Sequence, residues 1–95
     1  MKGGWVYIVT NQAFGSLYVG VTNNLRRRIA EHRKGATAGH TEKYQLSRLV
    51  YAERHEDILS AITREKAIKH WLRAWKIDLI MAENPNWDDL FDGFS

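Results

Sequence analysis

Two short apolar runs near the start of the chain constrain its fold more than any other feature. Residues 5–10 (WVYIVT) and 17–22 (LYVGVT) are rich in β-branched and aromatic side chains, and the stretch Asn11-Gln12-Ala13-Phe14-Gly15-Ser16 separates them. Strand formers flanking a short turn-rich connector predict a β-hairpin. Closed with Thr10 opposite Leu17, the hairpin sets Tyr7 against Gly20 and Val9 against Tyr18. Cross-strand partners project to one side, so Tyr7 and Tyr18 become diagonal neighbours on one face. A slip of one residue would separate them. Gly20 leaves space beside the Tyr7 ring, and a mid-strand glycine often marks a close approach.

The rest of the chain reads as alternating helix and strand. Thr22-Asn23-Asn24 carries N-cap chemistry for a helix over residues 25–34, with Gly35 placed to end it. Residues 35–47 read as a polar loop, and residues 48–53 (RLVYAE) as a third strand. Helical periodicity then runs from Asp57 to about Trp75. A further short helix over residues 77–83 stops at Asn84-Pro85. The order β-β-α-β-α-α predicts an α+β fold, a small three-stranded antiparallel sheet flanked by helices. At 95 residues the expectation is a single domain, 1–95, with an acidic aromatic tail from about residue 84.

Charge is segregated along the chain. Residues 1–76 hold all 14 Lys and Arg and only 6 acids, which leaves +8; beyond them come 5 acids and no base, −5. A basic body with an acidic tail fits a polyanionic partner, nucleic acid first, or a solvated surface with incidental clustering. No cysteine is present, so disulfides, Cys-type zinc sites and thiol nucleophiles are excluded. No apolar stretch approaches ~18 residues and the N-terminal run is too short for a secretory signal. A soluble cytoplasmic protein with no membrane partner is the expectation.

Three features carry candidate chemistry, each with a bland alternative. Tyr7 and Tyr18 form a site or are packing residues with satisfied hydroxyls. On the first helix, Leu25, Ile29 and His32 follow i, i+4, i+7, and Arg28 borders that stripe. An inward guanidinium suits a bidentate hold on a phosphate, and His32 suits proton transfer; equally, Arg28 lies along the sheet edge by its stem and His32 is structural. On the second long helix, Ile58, Ala61, Ile62, Ile68 and Leu72 form one stripe at ~100° per residue, and Glu65 falls near its middle. A core-facing carboxylate is costly unless paired or bound to a metal. Lys69, four residues on, is the available ion-pair partner; a functional carboxylate near a phosphate-binding Arg points instead to Mg²⁺. His32, His40, His55 and His70 lack zinc-site spacing.

The segments Trp5-Val6-Tyr7 and Tyr18-Val19-Gly20 together resemble the paired signature of the GIY-YIG nuclease family. Residues 22–32 (TNNLRRRIAEH) are similar to the helix that follows it, residues 61–71 (AITREKAIKHW) to its glutamate helix, and residues 84–90 (NPNWDDL) to the tail of its small stand-alone members. The chain is also similar to the N-terminal nuclease domain of the excision-repair nuclease subunit, which implies a DNA-repair setting. The resemblance implies phosphodiester hydrolysis with one divalent metal, Mg²⁺ or Mn²⁺. It puts Tyr7 and Tyr18 at the signature tyrosines, Arg28 at the family arginine, His32 at a histidine some members carry, and Glu65 at the metal ligand. Asn84 matches, more loosely, an asparagine that supports the site. Two departures stand out: Trp5 replaces the glycine before the first I-Y, and Val21 stands where some members have a lysine.

In the mechanism this implies, Tyr7, alone or with His32, takes a proton from the attacking water. Only ~0.1% of an ordinary tyrosine is phenolate at pH 7, so a nearby cation must lower its pKa. Arg26, Arg27, Arg33, Lys34, Lys43, Lys66, Lys69 and Arg73 are candidates for gripping a DNA backbone, which positions substrate without reading sequence. Structure-selective or nonspecific cutting of DNA, branched DNA included, is the expected activity. The alternatives are a non-catalytic nucleic-acid-binding module of the same fold, and a protein-interaction domain using Trp87, Leu90, Phe91 and Phe94 of the tail. That tail is expected to fold back on its own domain.

Overall fold

The hairpin forms with the register set by Thr10 opposite Leu17. Strand β1 (Gly4–Thr10) pairs antiparallel with β2 (Leu17–Thr22), with Tyr7 opposite Gly20 and Val9 opposite Tyr18. The computed structural model describes residues 3–34 and 46–93. Strand β3 (Arg48–His55) pairs antiparallel with the other edge of β1, giving the order β2-β1-β3, with a bulge at Ile8/Val9. Gly35, the loop position Lys43 and Phe94 lie outside the described residues.

Because β1 is central, both of its faces are covered and its alternation sorts side chains into two cores. Val6 and Ile8 join Val19, Val50, Tyr51, Ala61, Ile68, Ile80 and Trp87 on one face. Tyr7 and Val9 join Leu25, Ile29, Leu46 and Leu49 on the other. Helix α1 (Leu25–Arg33) covers the second face with Leu25, Ile29 and His32 buried. It begins where the Asn24 side chain accepts from Arg27 N, 3.1 Å away, satisfying a backbone donor that the helix cannot. Helix α2 (Ile58–Lys69) covers the first face and is capped in the same way, by Asp57 accepting from Ser60 N at 2.8 Å. Gly4 permits this packing: a Cβ there would lie 2.6 Å from Ile58 Cδ1.

The helical pattern of residues 57–75 is two helices, not one. Helix α2 ends at Lys69, Leu72 is extended (φ −61°, ψ 150°), and helix α3 runs Arg73–Glu83, starting four residues before the predicted one. A continuous helix would have buried Leu72, which is 64% exposed. The break instead packs the larger Trp71 against the core, beneath the Arg64 guanidinium, 5.2 Å from the ring centroid. No Gly or Pro marks the change. Strand β3 extends two residues past the predicted end, because Arg54 and His55 continue the ladder opposite Trp5 and Gly4 of β1.

The acidic tail folds back, as expected. Trp87 is buried, with its backbone in the left-handed region (φ 56°) and its Nε1 donating to Met81 Sδ at 3.0 Å. A left-handed non-glycine residue costs about 1–2 kcal/mol, which burial of an indole outweighs. Asn84 secures the turn: its Nδ2 donates to Val50 O (3.0 Å) and Asp88 O (2.9 Å), and its Oδ1 accepts from Asp88 N. Leu90 N then donates to Leu49 O at 2.8 Å, alongside β3. Trp87→Ala is therefore expected to cost about 3–5 kcal/mol in urea unfolding, the price of opening a core on which Phe14 also stacks, 4.8 Å between ring centroids. A loss under ~1 kcal/mol would show that the tail is only loosely attached.

Candidate functional site

Four of the five candidate catalytic side chains converge on the α1 face of the sheet. Tyr7 Oη lies 3.0 Å from His32 Nε2. The Tyr7 and Tyr18 rings are 6.5 Å apart, and each stands 5.6 Å from the His32 ring, edge on. Arg28, one turn before His32, interacts with the Tyr7 hydroxyl and forms an ion pair with Glu31 at 3.2 Å. What approaches Gly20 is Tyr7 itself. A Cβ at Gly20 would lie 2.5 Å from Tyr7 Cζ, so the bare backbone of β2 is the seat of the tyrosine ring.

Electrostatics assign these groups different protonation. Burial pushes the Tyr7 hydroxyl up to about 12; the hydrogen bond from Arg28 pulls it down without overcoming burial, and the charges of Tyr18 and Glu65 raise it further. At that value the phenolate fraction at pH 7 is about 10⁻⁵. The cation anticipated from sequence is present, but it does not make Tyr7 a free-standing base. His32 moves the opposite way for a base: burial lowers its pKa and the Arg28 charge lowers it further, against a smaller pull from Glu31. Its Nδ1 is buried with no partner among the described residues, and Nε2 is the nitrogen that meets the Tyr7 hydroxyl.

Glu65 approaches from α2, the layer on the other side of the sheet. It is buried, 7% exposed, between Ala61 and Ile68 of the apolar stripe. Lys69 connects it to the tyrosines. The ammonium lies 2.7 Å from Glu65 Oε2 and 5.7 Å from the centroid of the Tyr18 ring. The hydrogen bond to Glu65 raises the Lys69 pKa. Among the described residues no three His, Cys, Asp or Glu side chains cluster as a metal site. Asn84 spends its amide on the tail and on β3, as described above.

The candidate backbone-gripping cations divide. Arg73 is committed to the hairpin turn: its Nη2 donates to Phe14 O and Gly15 O, both at 2.7 Å. Arg33 pairs with Asp89 of the tail, and the Arg26 and Arg33 guanidiniums lie 4.9 and 4.4 Å from the Phe91 ring centroid. Arg27 forms the expected i, i+4 pair with Glu31, at 3.8 Å. Lys34 and Lys66 are exposed, and Lys43 lies outside the described residues.

One cluster was missed from sequence. On the α2 face, Glu53 accepts from Tyr51 Oη (2.7 Å) and from Arg64 Nε (3.1 Å), and is 2.8 Å from His55 Nε2. Burial works against the Glu53 carboxylate, but these donors win and hold it below the usual range. The period-two spacing of Tyr51, Glu53 and His55 on one strand was the readable signal. With its partners saturated, the cluster ties β3 to α2.

The fold is a small α+β domain that carries a tyrosine pair, an arginine and a buried carboxylate. The model of the GIY-YIG catalytic domain matches residues 3–78, and the chain belongs to that nuclease family. It is 34% identical over 91 residues to UPF0213 protein DP2720 of Desulfotalea psychrophila, covering 95% of this chain and 83% of that one. A UPF0213 protein of Staphylococcus aureus is 36% identical over 80 residues, 84% of this chain and 96% of its own. The solution NMR structure of UPF0213 protein BH0048 from Bacillus halodurans superposes with a TM-score of 0.58 at 29% identity, covering 92% of each chain. No helix among the described residues is long and apolar enough to cross a membrane.

Two outcomes test the geometry without any substrate. Gly20→Ala should displace the Tyr7 ring and cost about 1–3 kcal/mol of stability in urea unfolding; a neutral substitution would mean that the ring is not seated there. His32 is held neutral by the fold, so its depressed pKa means the unfolded chain binds the extra proton first. The stability it contributes is complete above pH ~6.5 and declines as pH falls through the folded value. His32→Asn should therefore flatten the acid side of a melting-temperature profile, and an unchanged slope would contradict the assignment.

Proposed function

We propose that this chain is a divalent-metal-dependent endonuclease that hydrolyses phosphodiester bonds in DNA, acting on branched DNA or without sequence preference, in a cytoplasmic DNA-repair setting. The observation that carries the reading is the 3.0 Å contact between Tyr7 Oη and His32 Nε2, with Tyr18 and Arg28 against the same hydroxyl face. A structural tyrosine needs one satisfied hydroxyl; this one sits beside a neutral imidazole, a guanidinium and a second phenol.

Each residue then has a task. Tyr7 takes a proton from the attacking water as it gives its own to His32 Nε2, so that no phenolate is ever free. His32 suits that task because it is neutral at pH 7. Arg28 holds a nonbridging phosphate oxygen and offsets the negative charge that develops there. Tyr18 orients water or phosphate through its hydroxyl. Glu65 fits a Mg²⁺ or Mn²⁺ ion, since a buried carboxylate suits a hard cation otherwise coordinated by water and phosphate oxygens. When bound, the metal supplies Lewis-acid stabilisation of phosphate charge. Arg27, Lys34 and Lys66 are the exposed cations best suited to the DNA backbone.

The test is nicking of supercoiled plasmid and cleavage of a branched DNA with Mg²⁺ or Mn²⁺. Arg28→Ala is expected to slow cleavage by about 10²–10³, and Glu65→Gln to abolish it while leaving DNA affinity within about twofold. The rate of the wild type should fall on the acid side, with an apparent pKa below 6.5, and stay level through pH 8. Cutting by Glu65→Gln would sink the metal assignment. Salt-sensitive DNA binding with no cutting by the wild type would favour a non-catalytic binding module instead.

A further inference from the structure

Lys69 is hard to explain as surface charge. Its Nζ is 2.7 Å from Glu65 Oε2, yet the two side chains differ sharply in exposure: 46% for Lys69 and 9% for Glu65. The carboxylate is fixed inside the protein, and the ammonium reaches it from solvent on a flexible four-carbon stem. The same ammonium stands over the Tyr18 ring, 5.7 Å from its centroid, at the junction of the carboxylate and the tyrosine cluster.

A divalent ion would compete for this place. Mg²⁺ binds carboxylate oxygen at ~2.0–2.1 Å, so an ammonium already in hydrogen-bond contact with that carboxylate obstructs it by both charge and volume. An unpaired buried carboxylate is itself expensive. Lys69 removes that cost while no metal is bound. A half-exposed i, i+4 ion pair is also weak, so an ion of twice the charge displaces it readily.

We infer that Lys69 is an internal cation that occupies the metal position at Glu65 and is displaced when a divalent ion binds. This rests on the nuclease reading above, in which Glu65 is the metal ligand. Lys69 is thus a positioning residue: it orients Glu65 while setting the metal concentration the site responds to.

Mn²⁺ binding to the full chain without nucleic acid, followed by calorimetry and by electron paramagnetic resonance, tests the inference. Lys69→Met should bind Mn²⁺ about two- to fivefold more tightly than the wild type. Lys69→Arg, which keeps a cation on the stem, should show no tightening. Glu65→Gln should lose binding in either background. Mn²⁺ should also raise the melting temperature of Lys69→Met more than that of the wild type, a readout confined to the folded protein. Unchanged or weaker binding by Lys69→Met, with Glu65→Gln still abolishing it, would overturn the Lys69 role and leave the metal at Glu65. Binding that survives Glu65→Gln would overturn both.

Discussion

A hydroxyl on the central strand and an imidazole on the first helix meet 3.0 Å apart inside an otherwise apolar layer. Much else follows from that contact. It requires Tyr7 to lie flat across β2, which requires glycine at position 20. It requires α1 to present His32 inward at the same level as Tyr7, which the Asn24 cap and the Leu25–Ile29 stripe arrange. Both groups are buried against the α1 layer, and that burial makes the phenol reluctant to ionise and the imidazole reluctant to charge. One hydrogen bond thus joins the sheet to the helix that covers it.

The fold was legible wherever local pattern and tertiary demand agree. Two β-branched runs and a turn specified the hairpin; its register rested on assuming that Thr10 closes against Leu17, and the strand pairing agrees. Cap residues marked the start of α1, and periodicity marked the start of α2, where Asp57 proves to be the cap. The break between α2 and α3 was not legible: residues 70–72 contain no helix breaker, and the preference for burying Trp71 over Leu72 is decided by the shape of the core. The site was legible for a different reason. A carboxylate in an apolar stripe and an arginine bordering one are chemical anomalies, visible without coordinates. How far burial shifts the Tyr7 hydroxyl depends on the α1 layer, which no spacing in the sequence reports, so the sequence left open whether Tyr7 stands alone or with His32, and the structure puts the two 3.0 Å apart.

Charge counting overstated the basic surface. Of the cations that made residues 1–76 look like a polyanion footprint, Arg73 braces the hairpin turn, Arg64 serves Glu53, and Arg26 and Arg33 lie against the tail's Phe91. Asp89 of that tail pairs with Arg33 and caps Leu49 N as well. The segregation of charge along the chain is therefore partly undone in space: the acidic end is folded onto the basic helix. Segment-by-segment net charge measures a footprint only when the oppositely charged segment lies elsewhere.

The strand order also governs what a growing chain can do. Tyr7, Tyr18, Arg28 and His32 are synthesised within the first third of the sequence, but β1 has only its β2 neighbour until β3 emerges. At ~5–20 residues per second, residues 33–55 take about 1–5 s. Through that interval the central strand has one bare edge, and Glu65 does not yet exist. Four of the five groups can be brought near one another on the ribosome, but the carboxylate arrives last, on a helix that needs the completed sheet to pack against. A chain that stops before α2 therefore carries an incomplete constellation.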